Sequence, residues 1–183
     1  MTDLPFPLSG STLILGPSNT GKTRLTARAL DTWLDRAGTD GVVVLDFAPE
    51  LEREGHLLGG HLDRFTTVPD AVWYGAIEAH APRAESGDAE TALDLARANA
   101  TLACRVLDAA PDDPRAVFVN DATISFQADG DLSALLAYCD GAEVTVLNAF
   151  ESDELGRDDP VSRNERAALS GLRAWADRVH RLE

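Results

Sequence analysis

The octapeptide Gly16–Thr23, GPSNTGKT, decides how this 183-residue chain is interpreted. It matches the pattern G-x-x-x-x-G-K-[ST] at every fixed position. The apolar run Thr12–Gly16 precedes it and predicts a buried strand. Gly21–Ala37 follows with apolar residues at helical spacing, so the octapeptide is predicted to join a strand to a helix.

That context predicts a phosphate-binding loop. Backbone N–H groups of such a loop, and of the helix N-terminus that follows it, point inward and bind phosphate oxygens. Lys22 adds a compact positive charge for the β- and γ-phosphates, and the Thr23 hydroxyl is a ligand for Mg²⁺. We expect the nucleotide to contact the whole octapeptide: Gly16, Pro17, Ser18, Asn19, Thr20, Gly21, Lys22 and Thr23.

Lys22 is the only lysine in the chain, because the other fifteen of the sixteen basic residues are arginine. On an exposed surface arginine serves as well as lysine. In a phosphate loop a bulky planar guanidinium does not replace a slim ammonium. The retained lysine therefore favours a functional loop over a glycine-rich turn that contains a lysine by chance.

The charge balance is strongly acidic, with 31 acidic residues, 16 basic residues and a net charge of −15. The acids are spread along the whole sequence, so the composition resembles that of halophilic archaeal proteins more than a local binding face. Such a surface disfavours nucleic acid as a partner, because phosphate backbones bind to basic patches. Cys104 and Cys139 lack metal-ligand spacing and are predicted to be reduced core residues.

Hydropathy predicts no membrane partner. No window approaches 18 uninterrupted apolar residues, so no membrane span is expected. The first residues have no basic segment, so they do not indicate a signal peptide. Together these features predict a cytoplasmic protein.

The remaining pattern alternates strands and helices. A strand at 41–47 is apolar on both faces, as inside a parallel sheet. Ser162-x-x-Glu165 matches a capping box that opens a helix to about Asp177. Residues 48–69 are predicted as a loop or partial lid with a short strand at 65–68, and residues 70–80 have no clear type. The other predicted elements are strands at 116–120, 143–148 and 178–182 and helices at 88–109 and 131–139.

This order predicts a single α/β domain over residues 1–183, with three α/β/α layers and a mostly parallel sheet of about five strands. A magnesium–nucleotide site also needs a carboxylate at the end of a neighbouring strand. Asp121 directly follows the strand at 116–120 and is the preferred Mg²⁺ ligand. Asp46 ends the strand at 41–47 and is the second candidate. For either residue the ordinary alternative is a solvated acid in a loop.

The sequence order of these features resembles the P-loop NTPases of RecA-like type. The resemblance implies that fold, ATP or GTP with Mg²⁺, and Asp121 as the Walker B aspartate. It also implies Glu50 as the base that polarises water and Asn148 as a polar sensor of the nucleotide. Two departures are evident: the Asp46-to-Glu50 gap is longer than in the recombinases, and Ala122 follows Asp121 in place of glutamate. RecA-like ATPases often place their site between subunits, so a homo-oligomer is an expectation.

A weaker resemblance is to adenosylcobinamide kinase, in which a histidine after the second strand takes a guanylyl group. His56 and His61 occupy a comparable stretch, although the surrounding residues differ from that family's pattern, and surface histidines are the ordinary alternative.

Arginine side chains are candidates for stabilising the transition state. Phosphoryl transfer needs positive charge around the γ-phosphate. Arg163 and Arg166, at the start of the last predicted helix, are the leading candidates, and Arg157 and Arg83 are the others. The ordinary alternative is that these arginines are salt-bridge partners on an acidic surface.

Three functions stay open at this point. The first is a Mg²⁺-dependent ATPase, and the second is a small-molecule kinase whose acceptor lid is residues 51–86. The third is a nucleotide-binding regulatory or assembly protein that switches a partner with little turnover. The chain has no Asn-Lys-x-Asp guanine motif, which speaks against a Ras-like GTPase but leaves GTP open.

Overall fold

A computed structural model describes residues 3–153 and 156–183 of the chain. Short 3₁₀ helices at Leu62–Arg64 and Ala122–Phe126 supplement the main elements. The strands are β1 Gly10–Gly16, β2 Val42–Asp46, β3 Glu50–Arg53, β4 His56–Gly59, β5 Trp73–Ala76, β6 Ala116–Asn120, β7 Val144–Phe150 and β8 Arg178–Arg181. The helices are α1 Lys22–Ala37, α2 Pro82–Glu85, α3 Ala89–Ala109, α4 Ser133–Cys139 and α5 Pro160–Trp175.

Six of the strands form one sheet in the order β5-β2-β6-β7-β1-β8. Every pairing within it is parallel, and β7 lies between β1 and β6. The predicted α/β class and parallel sheet are confirmed. The sheet has one strand more than the five expected, because β5 forms within residues 70–80, for which no element was predicted.

Helices cover both faces of this sheet. On one face α1 packs its apolar side against alternate residues of the central strands, including Leu30 and Trp33 against Ile14, Val44 and Phe118. On the other face α3, α4 and α5 pack against the strand residues that alternate with those facing α1. Members of that second core include Leu13, Leu45, Val119, Ala103, Leu135 and Leu172. The result is the three-layer arrangement that the alternation of elements predicts.

The central strands end together at one edge of the sheet. β1 ends at Gly16, β2 at Asp46 and β6 at Asn120, and all three residues are buried. In open parallel sheets, ligands bind outside the carboxyl ends of the strands. This edge is therefore where a functional site is expected.

Residues 48–69 differ from the prediction. They form an antiparallel hairpin of β3 and β4, followed by the 3₁₀ helix Leu62–Arg64. The expected strand at 65–68 is wrong, because the free edge of β2 is taken by β5 instead.

The predicted capping box is also wrong. α5 begins at Pro160, and the Asp159 side chain accepts the hydrogen bond from the Ser162 N–H. Ser162 and Glu165 lie inside the helix, and both are buried. An aspartate followed by proline at the first helical position forms this cap and leaves the two predicted capping side chains to other partners.

Only one of the two cysteines fits its predicted place. Cys139 is buried on α4, and burial raises the pKa of its thiol to about 12. Cys104 is exposed on α3, so its assignment to the core is wrong.

The length and apolarity of the described helices determine whether any of them could cross a membrane. None of those helices has the length and apolarity needed to cross a membrane.

Candidate functional site

The loop between β1 and α1 has the backbone that its glycines predict. A Cβ atom on Gly16 would lie 2.6 Å from the carbonyl oxygen of Leu182, so only glycine fits there. Gly21 has a φ of 93°, in the left-handed region that favours glycine. Helix α1 begins directly after it, and the Lys22 Nζ donates a hydrogen bond to the Pro17 carbonyl at 2.5 Å.

A cavity of about 430 Å³ opens over this loop. Ligand pockets of proteins commonly measure about 300–1,000 Å³. Six of the eight loop residues predicted to contact a nucleotide, Ser18 to Thr23, line the cavity, whereas Gly16 and Pro17 are not in its lining. The other lining residues are Arg24, Ala48, Gly59, Phe65, Asp121, Asn148 and Phe150.

Asp121 reaches this cavity from the end of β6. Its backbone lies in the left-handed region, with a φ of 56°, and its N–H donates to Asn148 Oδ1 at 3.0 Å. The residue as a whole is partly exposed, but its Oδ1 atom is buried and has no hydrogen-bond partner among the described residues. A strained backbone and an unpaired carboxylate oxygen together are typical of a functional position.

The electrostatic surroundings of Asp121 favour its protonated form. Burial, followed by repulsion from Glu165 and Asp46, raises the pKa of Asp121 to about 7. Lys22 and Arg83 act in the opposite direction. A cation placed beside this carboxylate would lower its pKa, because a nearby positive charge favours the ionised form.

Asn148 is the centre of a buried hydrogen-bond cluster beneath the cavity. Its Nδ2 donates to Thr26 Oγ1 at 2.8 Å and to Asn120 Oδ1 at 2.9 Å, while its Oδ1 accepts from the Asp121 N–H. These bonds tie α1, β6 and β7 together and fix the backbone of Asp121. The sequence did not predict the roles of Thr26 and Asn120, although a polar residue at the end of an apolar strand was the available signal for Asn120.

Asp46 is not brought to the phosphate cavity. It is fully buried, and its Oδ1 accepts from Asn120 Nδ2 at 2.8 Å. Its Oδ2 accepts from the Leu62 N–H at 2.6 Å and from the Tyr74 hydroxyl at 2.5 Å. Burial and the charge of Asp46 raise the pKa of Tyr74 above its usual value. The arrangement corrects the metal assignment of Asp46, because both carboxylate oxygens already bind β5, β6 and the 3₁₀ helix.

Glu50 also lies outside the lining of the cavity. It is exposed at the start of β3, where its Oε1 is 2.5 Å from Arg64 Nε and 3.0 Å from the His61 backbone nitrogen. The Arg64 guanidinium, followed by the His61 N–H, lowers the pKa of Glu50 to about 2. A carboxylate paired in this way is a weak base, so the geometry does not fit the catalytic assignment of Glu50.

The structure does not bring the two leading arginines to the loop. Arg163 is exposed and donates to the Asp158 carbonyl, and Arg166 is exposed and donates to the Arg157 carbonyl. Neither is in the lining of the phosphate cavity, so the structure does not bring them to the loop, and their catalytic role stays a prediction. His56 and His61 are likewise absent from that lining.

Arg83 is the arginine that the fold places beside Asp121. It lines a second cavity, of about 100 Å³, which shares Asp121 and Phe150 with the first. Its guanidinium lies 2.7 Å from Glu165 Oε2 and donates to Ser162 Oγ at 2.9 Å. The Arg83 and Glu165 side chains are only 12% and 5% exposed, so this ion pair is largely shielded from water.

The side chains at the loop suit a magnesium–nucleotide complex. Within residues 3–153 and 156–183, no group of three or more His, Cys, Asp or Glu side chains is arranged to hold a metal. Magnesium in nucleotide sites needs fewer protein ligands, because phosphates and waters supply the others. The Asp121 carboxylate and the Thr23 hydroxyl, which line the same cavity, fit that set of ligands.

Comparison with known proteins adds no assignment: no family model matches the chain, and no curated protein matches its sequence. The function therefore has to be inferred from the site.

Proposed function

We propose that this chain is a P-loop NTPase of RecA-like type that binds ATP or GTP with Mg²⁺ and hydrolyses it slowly. The observation that carries the proposal is the single cavity lined by Lys22, Thr23 and Asp121. Lys22 and Thr23 begin α1, which follows β1 through the loop, and Asp121 follows β6; β7 separates these two strands in the sheet. The element order of the chain supports the same resemblance.

The loop binds the phosphates. The first backbone N–H groups of α1 have no partner within the helix, and Lys22 to Arg24, at this end of α1, line the cavity together with loop residues. Lys22 exchanges its bond to the Pro17 carbonyl for oxygens of the β- and γ-phosphates. Its slim side chain approaches these oxygens without displacing the loop.

Thr23 and Asp121 would hold the magnesium ion, because both line the cavity over the loop. When bound, Mg²⁺ neutralises negative charge that develops on the phosphates. For the protein, the ion would place positive charge beside the Asp121 carboxylate, whose burial raises its pKa to about 7. Asn148 keeps Asp121 in its strained backbone conformation and is the polar sensor that the resemblance implies.

The base of the nucleotide stacks on Phe65 at the mouth of the cavity. Phe65 is 42% exposed, and the guanidinium of Arg24 lies 5.7 Å from its ring centroid. Its segment is held by Leu62, whose N–H bonds to Asp46, and by Thr66, whose hydroxyl bonds to Asp31. Stacking accepts either purine, so this contact leaves the choice between ATP and GTP open.

A small-molecule kinase is the second candidate. The second cavity favours it, because this cavity adjoins the phosphate cavity through Ser18, Gly59, Asp121 and Phe150. Five of its lining residues, Gly59 and Ala81 to Ala84, belong to residues 51–86, the region predicted to be an acceptor lid. The regulatory protein, the homo-oligomer and the cytoplasmic location stay predictions.

Phosphate release tests the proposal. The purified protein is assayed in concentrated potassium chloride with Mg²⁺ and either ATP or GTP. Wild type should turn over, Lys22→Ala and Asp121→Asn should lose activity, and Arg163→Ala should retain it as a control for arginine removal outside the cavity. Nucleotide binding without release in wild type would favour the kinase or the regulatory protein over the ATPase. Full activity in Lys22→Ala would contradict both candidates.

A further inference from the structure

The second cavity contains an unusual amide. Gln127 is the only glutamine in the chain, and it is 1% exposed at the end of the 3₁₀ helix Ala122–Phe126. Its Nε2 donates to Glu165 Oε1 at 3.0 Å, which fixes the orientation of the amide. The opposite atom, Oε1, is buried and has no hydrogen-bond partner among the described residues.

Asp121 supplies a second acceptor to the same cavity. Its Oδ1 is likewise buried without a partner in the described chain, and both residues line the cavity. A buried acceptor is costly unless a donor reaches it, and most buried polar atoms in proteins have one. Two such atoms, on two residues that line one cavity, favour a ligand there that donates hydrogen bonds.

The other residues that line the second cavity limit the size and chemistry of this ligand. Arg83 and Glu165 form an ion pair with each other, so the ligand is expected to bind Gln127 and Asp121 in place of these two side chains. Much of the remaining lining is apolar, including Pro82 and Ile124. With a volume of about 100 Å³, the cavity suits a head of a few atoms on a small aliphatic skeleton.

We propose that the second cavity binds a small aliphatic molecule through a hydroxyl or ammonium group that donates to Gln127 Oε1 and Asp121 Oδ1. Within the kinase candidate, this group is the end of the acceptor that faces the γ-phosphate. That role rests on the proposed function, whereas the binding itself does not require a nucleotide.

Three probes with one carbon skeleton test the donor requirement: isopropanol, isopropylammonium and acetone. Glutamine labelled with ¹³C at its side-chain carbonyl gives a single signal, because Gln127 is the only glutamine. Isopropanol or isopropylammonium should shift that signal saturably in the millimolar range. Acetone, which has no donor, should bind at least about ten-fold more weakly.

Matched variants locate the binding. Ala84→Leu, which places a larger side chain in the cavity wall, should abolish the shift. Ala137→Leu makes the same change at an exposed position of α4 and should leave the shift intact. Lys22→Ala, which removes the phosphate ligand, should also leave it intact. This last variant separates failure of nucleotide binding from failure of the second cavity.

Each outcome decides the proposal. Saturation by either donor probe supports it, and the probe that binds identifies a hydroxyl or an ammonium ligand. An equal response to acetone would overturn it, as would a shift that survives Ala84→Leu or disappears in Lys22→Ala. If no probe shifts the signal, the cavity holds water alone and the proposal is wrong.

Discussion

Replacing Asp121 by asparagine should stabilise the protein above neutral pH while removing its response to magnesium–nucleotide. The substitution keeps the shape of the side chain and removes a buried carboxylate. Asparagine also tolerates the left-handed backbone of this position, where φ is 56°. Stability should therefore change through charge, with little contribution from backbone strain.

The raised pKa of Asp121 sets the size and sign of the effect. The folded state keeps the proton up to about pH 7, whereas the ordinary pKa is 3.8, so the unfolded chain releases the proton first. Wild type therefore loses stability as the pH rises from about 4 to 7 and levels off above that. A shift of about three pH units corresponds to about 4 kcal/mol, an upper limit because the residue is partly exposed.

Unfolding by denaturant at pH 5 to 8, followed by tryptophan fluorescence, measures the free energy of unfolding of both proteins. The advantage of Asp121→Asn should grow by about 2 kcal/mol across this range without magnesium. Magnesium–nucleotide at 100 times its Kd should add about 2.7 kcal/mol to wild type and far less to the variant. A constant difference across the pH range would refute the electrostatic reasoning, and equal stabilisation of both proteins would refute the metal assignment.

Three other substitutions test neighbouring contacts. Glu50→Gln should keep phosphate release within about two-fold of wild type. It should lower the free energy of unfolding by less than about 1 kcal/mol, because it breaks only an exposed ion pair with Arg64. A large loss of turnover would restore Glu50 as the base. Phe65→Ala should weaken ATP binding in calorimetry by about 1–3 kcal/mol and leave tripolyphosphate binding unchanged; equal losses would exclude base stacking. Arg83→Met should lower the free energy of unfolding by about 3–5 kcal/mol, because it leaves Glu165 buried and unpaired. Adding Glu165→Gln should recover much of that loss, and no recovery would contradict the ion-pair explanation.

Local patterns predicted the parts of the fold that local chemistry determines. The strand at 116–120 has the predicted bounds, and α3 begins directly after the predicted Asp88, which caps it. The phosphate loop is also a local feature, because its glycines and the flanking periodicities all lie within one stretch. β5 could not be predicted in this way, since Trp73–Ala76 becomes a strand by pairing with β2.

The same distinction, between features set by local sequence and features set by distant partners, applies to the candidate site. Thr23 lies in the first turn of α1, Asp121 follows β6 and Asn148 lies near the end of β7, so the sequence could place them at one sheet edge. All three line the cavity. Asp46 has the same sequence signal but a different position, because Leu62 and Tyr74 supply donors that bury it. Its burial depends on those partners, which the strand pattern around Asp46 does not contain.

Two residue types that occur only once in the chain, lysine and glutamine, distinguish the two cavities. Arg83, Gln127 and Glu165 are distant in sequence and meet only when α2, a 3₁₀ helix and α5 pack together. Yet the chain has one lysine and one glutamine, and each lines one of the two adjoining cavities. Isotope labels on these two residues therefore report the cavities separately. A nucleotide should shift the Lys22 signal, a small alcohol or ammonium should shift the Gln127 signal, and a response of both signals to either ligand alone would mean that the cavities are one site.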